Sequence, residues 1–79
     1  MFSPKVKKAL SPFVPGRQMA QLDALTAKYA NGGTPESYVK AATKIVGKDV
    51  VAGILPDLVG ALPSGEQKSA LFRYYSTSL

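Results

Sequence analysis

The sequence has no cysteine, no histidine and no tryptophan, and only five acidic residues. Without cysteine there is no disulfide framework, no thiolate zinc site and no thiol nucleophile. Without histidine the one side chain that titrates near neutrality unaided is missing. A transition-metal site would have to be assembled from carboxylates alone. The acids are Asp23, Glu36, Asp49, Asp57 and Glu66, and none stands at the alternating short spacing of a calcium loop. The nearest pair, Asp49 and Asp57, would lie about 12 Å apart along one continuous helix at about 1.5 Å per residue. Glycosidase carboxyl pairs need roughly 5–9.5 Å. A Ser–Lys dyad survives this elimination, but parts such as Ser69 beside Lys68 are too common to mark one. Neither a Walker loop nor a dinucleotide fingerprint occurs. The chain therefore reads as non-enzymatic, with no catalytic residue, no metal ligand set and no cofactor assigned.

Long hydrophobic runs are also missing. The most apolar stretch, Val50 to Leu62, is thirteen residues long and contains Pro56 and Asp57, short of the roughly 20 apolar residues of a membrane span. The start of the chain is basic but lacks the apolar core of a secretory signal. The compartment is left open, with a cytoplasmic or particle-associated location as the default.

What is present is a chain of 79 residues, 46% hydrophobic, with a net charge of +5. That is room for one small domain and too apolar for disorder throughout. The charge is unevenly placed. Residues 1–17 carry Lys5, Lys7, Lys8 and Arg17 and no acid, whereas residues 18–79 carry six bases against five acids. Residues 1–15 also hold Pro4, Pro12 and Pro15, half of the six prolines. Proline fixes φ, removes a donor and pushes the preceding residue toward extended geometry. Only Lys5 to Leu10 has room for a helical turn or two. The segment is apolar as well as basic, through Phe2, Val6, Leu10, Phe13 and Val14. It reads as an extended basic arm, residues 1–15, that packs its apolar side chains on its own body or on a neighbouring subunit.

Residues 16–79 read as all-α, a small bundle of short helices, three to five in the chain as a whole. Met19, Leu22, Leu25 (or Thr26) and Tyr29 recur at helical spacing, and Asn31-Gly32-Gly33 is a stop signal. A second helix opens with Thr34 as N-cap, Pro35 at its first position and Glu36 in its first turn, and closes at Gly47. Tyr38, Ala42 and Ile45 line one face. Lys40, Lys44 and Lys48 form a stripe at i, i+4 and i+8. Over 49–62, Val51, Ile54, Leu55, Leu58, Ala61 and Leu62 keep a helical period. Pro56 predicts a kink or a break into two short helices there, with Asp49 as N-cap. A last helix follows Pro63, where Ser64 and Gln67 fit a capping box. Ala70, Leu71, Tyr74 and Tyr75 form its apolar side, with Phe72 nearby. No stretch alternates long enough to read as a strand.

A body of about 60 residues buries only about 60% of its unfolded surface and is marginally stable, and no disulfide or metal staples it. Stability borrowed from neighbours is the corollary. The leading functional expectation is a small structural or adaptor subunit of a larger assembly, of the kind found in shells, particles and virions. Its partners are other protein subunits, bound through an apolar helical face and the arm. Phe2, Leu10 and Phe13 would be apolar anchors, and Lys5, Lys7, Lys8 and Arg17 the basic contacts. The alternative is a small nucleic-acid-binding domain in which Lys5, Lys7, Lys8, Lys40, Lys44 and Lys48 face phosphates.

Overall fold

The computed structural model describes residues 2–78, which form five helices and, among the described residues, no strand. They are α1 (Pro4–Leu10), α2 (Gly16–Ala30), α3 (Pro35–Val46), α4 (Lys48–Ala61) and α5 (Glu66–Ser78). The all-α architecture follows from the periodicities above. α4 is the centre: it packs on α1, α3 and α5, while α2 lies on α3 and touches α5. It contributes Val51, Ile54, Leu55, Leu58 and Val59 to the buried core. Met19, Leu22, Thr26 and Tyr29 from α2 and Tyr38, Val39 and Ala42 from α3 face them. Thr26 rather than Leu25 holds the inward position. Its hydroxyl donates to the Leu22 carbonyl (2.7 Å) and shares a hydrogen bond with the Tyr38 hydroxyl (2.8 Å), so this buried hydroxyl is satisfied.

The extended arm is the main correction. Residues 4–10 are helical, because Ser3 and Pro4 repeat the start signal of Thr34 and Pro35. Ser3 accepts a hydrogen bond from the Val6 N–H (3.3 Å) and Pro4 occupies the first turn. There the missing N–H costs nothing and the fixed φ suits the helix. α1 lies on α4, and Phe2, Leu10 and Val14 are buried in the same core as the later helices. The radius of gyration is 11.2 Å, close to the roughly 11.6 Å of a compact chain of this length. The division at residue 15 is a division of charge, while the hydrophobic core is shared across it.

Three local expectations change for stated reasons. Residues 48–61 form one helix with Pro56 inside it. Pro56 leaves the Ala52 carbonyl without its helical partner. Both residues are exposed, so water reaches the gap and no break is forced. Asp49 is not the N-cap; Gly47 is both the end of α3 and the start of α4, at φ +93°. Only glycine takes that backbone without strain, which compresses the junction to one residue and moves Asp49 into the first turn. Third, the capping box does not form. α5 starts at Glu66, and the Gln67 side chain reaches the other way, donating from Nε2 to the carbonyls of Tyr29 (2.9 Å) and Gly33 (3.0 Å). The Tyr29 hydroxyl donates back to the Gln67 carbonyl (2.9 Å), so the end of α2 and the start of α5 are clamped reciprocally.

The proline gap supplies a stability test. Pro56→Ala restores a helical hydrogen bond on an exposed face and is expected to raise stability by about 1–2 kcal/mol, after the offsetting gain in unfolded-state freedom. A urea midpoint that falls for this variant would show that the ring packs against α1 more than it disturbs α4.

Candidate functional site

Past its first turn the exposed residues of α4 are Ala52, Gly53, Pro56 and Gly60. This side has no large apolar side chain, and its charges are Lys48 and Asp49, exposed at the start of the helix, and the half-buried Asp57. The segment that read as apolar all round thus hides its large residues and shows water its small ones. The chemistry of the surface comes from two other places.

The first is the N-terminal segment. Of its three expected anchors, Phe2 is 5% exposed and Leu10 0%, whereas Phe13 is 60% exposed. Phe2 and Leu10 are spent inside the chain's own core and are not offered to a partner in this fold. The Phe2 N–H also donates to Asp23 Oδ1 (3.2 Å), tying the start of the chain to α2. Phe13 sits on a turn whose geometry is fixed locally. Its own N–H and that of Val14 both donate to the Leu10 carbonyl, at 2.9 Å each. With Leu10 and Val14 buried on either side, the ring of Phe13 is held outward on an anchored turn. Lys5, Lys7, Lys8 and Arg17 are all exposed, and no acid occurs before Asp23. The structure therefore leaves Lys5, Lys7, Lys8, Arg17 and Phe13 exposed and buries Phe2 and Leu10.

Lys40, Lys44 and Lys48 are exposed as well. Lys40 and Lys44 border a shallow concavity with Thr34, Glu36, Ser37 and Ala41 on the outer side of α3. The N-terminal lysines sit on α1, which packs on α4. The six lysines of the nucleic-acid reading are thus spread over two separate helices and the start of a third.

The second place is the α4–α5 surface. Val59, Lys68, Ser69, Phe72 and Arg73 line an open depression of about 350 Å³. Phe72 is 56% exposed. The Arg73 guanidinium holds Glu66 at 3.4 Å, with both side chains well exposed. Sequence periodicity left Phe72 unplaced beside the apolar side of α5. Leu71, its neighbour in the chain, is fully buried, and since adjacent residues such as Ile54 and Leu55 are both buried elsewhere in the bundle, no local signal placed Phe72 outside.

Inside the bundle the rings of Tyr29 and Tyr38 are stacked, with centroids 4.7 Å apart and planes 24° from parallel. Burial pushes the Tyr38 hydroxyl up to about 12, against the lowering effect of its hydrogen bond with Thr26. Burial, and then the charge of Glu66, raises Tyr29 as well. Both rings are buried and hold α2, α3 and the start of α5 together through their stacking and hydrogen bonds. Among the described residues no helix is long and apolar enough to cross a membrane. Comparison with protein-family models, with curated proteins and with solved structures finds no match for this chain.

Proposed function

We propose that the chain is a small non-enzymatic structural or adaptor subunit that docks into a larger protein assembly, its N-terminal segment meeting the partner. The observation that carries this reading is Phe13, 60% exposed on a hydrogen-bonded turn between two buried residues. The turn that carries the ring is already hydrogen-bonded, so docking orders little further backbone and burial of the ring is favourable. The exposed cations of the same segment select an acidic surface around the pocket that takes the ring. Assembly is then a matter of display from a self-contained bundle, since the other apolar side chains of the segment are already committed inward.

The test follows from that division. Phe13→Ser is expected to leave folding stability within about 0.5 kcal/mol, as for an exposed position without special geometry. It is also expected to abolish a discrete cross-linked product formed in the native host from a photoreactive residue placed at Ser11, next to the ring. Lys7→Glu with Lys8→Glu is expected to do the same. A product unchanged in either variant, or no discrete product at all, removes the reading.

The nucleic-acid reading keeps one favourable observation, the exposure of all six of its lysines. If they contact B-DNA phosphates together, affinity falls with salt at a log–log slope of about −5. A measured slope that steep, on duplex DNA and made shallower by about 2 in Lys7→Glu with Lys8→Glu, would replace the assembly reading.

A further inference from the structure

The depression between α4 and α5 is separate from the N-terminal segment. From its side chains we infer a second docking site, one that takes an apolar side chain flanked by carboxylates on another protein. Val59 forms its floor, and the exposed ring of Phe72 forms one side. Two cations, Lys68 and Arg73, stand on its border. At about 350 Å³ it has room for one or two large side chains.

Charge decides the occupant. Glu66 is the acid that meets the border of this site, and it reaches Arg73 through an exposed contact of 3.4 Å. Such a contact is weak and readily exchanged for an incoming carboxylate. The chain as a whole carries +5, so a second copy approaches against repulsion. In a two-fold arrangement Phe72 on Phe72 also brings the Lys68 and Arg73 of each copy to the same seam. An acidic partner is opposed there by Glu66, whose charge is already paired with Arg73. Phe72 supplies the apolar contact, and the two cations set the sign of what lies beside it. This inference does not rest on the N-terminal reading, because the residues involved are different.

The test uses the full chain, observed through its backbone amide signals, with 3-phenylpropanoate as the probe and 3-phenylpropanamide as its neutral counterpart. The carboxylate is expected to shift Val59, Lys68, Ser69 and Phe72 and to bind roughly threefold to fivefold tighter than the amide, as expected for exposed ion pairing. Phe72→Ala, at an exposed position, is expected to remove binding of both probes. Lys68→Glu is expected to reverse the preference in favour of 3-phenylpropylamine. A Phe-Glu-Leu-Glu peptide is expected to shift the same amides. Equal binding of the acid and the amide, shifts located elsewhere, or no localised shift overturns the inference. So do shifts of these amides with protein concentration alone, which assign the site to a second copy. A thymidine oligonucleotide that shifts them more than the acidic peptide does would assign it to nucleic acid.

Discussion

Deleting residues 1–15 is expected to leave a chain that no longer unfolds cooperatively. The segment places Phe2, Leu10 and Val14 in the core at 5%, 0% and 2% exposure. Truncating a buried Leu to Ala costs about 2–5 kcal/mol, and a buried Phe about 3–5 kcal/mol. Removing both together with Val14 and the whole face of α1 exceeds the few kcal/mol that hold a domain of this size. Leu10→Ala is the milder form of the experiment. It should lower stability by about 2–5 kcal/mol while leaving a folded protein whose urea midpoint is still measurable. A deletion variant that melts cooperatively, within about 1 kcal/mol of the full chain, would show that α1 rests on the bundle without supporting it. The contrast with Phe13→Ser is informative because the two residues lie three apart. One change strikes the core, and the other strikes only what the segment presents to solvent.

The second large effect is alkaline destabilisation. Tyr38 is 2% exposed, and its hydroxyl is pushed from the usual 10.0 to about 12 in the fold. A raised value means that the folded state favours the neutral phenol. Below pH 10 the group is neutral in both states, and its contribution is fully present. Above pH 10 the unfolded chain ionises first, so stability falls as pH rises toward 12. Two units correspond to about 2.7 kcal/mol at most. The shift of Tyr29, raised by burial and by Glu66, acts in the same direction. Urea midpoints between pH 9 and pH 12 measure the loss, and Tyr38→Phe is expected to flatten much of it. At neutral pH the same variant should cost only about 1 kcal/mol, because the Thr26 hydroxyl keeps its bond to the Leu22 carbonyl. Thr26→Val is expected to cost more, about 1–3 kcal/mol, since it strands the buried Tyr38 hydroxyl. A pH profile that Tyr38→Phe leaves unchanged would place the alkaline transition on other groups.

The local start and stop signals were legible where they act over three or four residues. The bounds of α2, the Thr34–Pro35 opening of α3 and its end at Gly47 all follow from propensity, capping and the need for a positive φ. The same grammar stood in Ser3–Pro4, yet three nearby prolines pointed to extended chain. A φ near −65° serves the first turn of a helix and an extended segment equally, so proline density alone does not choose between them. The capping box failed for a related reason. A glutamine at the right spacing found better acceptors on another helix, and no local pattern reports those.

The residues alone therefore determined that this protein is an all-helical domain, where most of its helices begin and end, and that its positive charge is gathered at one end. Only the tertiary structure decided what that end does with its apolar side chains. Phe2 and Leu10 went into the core, Phe13 was turned to solvent, and Phe72 was left beside two cations between α4 and α5. The physical reason is that helical period depends on neighbours along the chain, whereas burial depends on which surfaces meet across it. α4 offered the first segment an apolar face to close on, and whatever that closure did not cover became the surface available to partners.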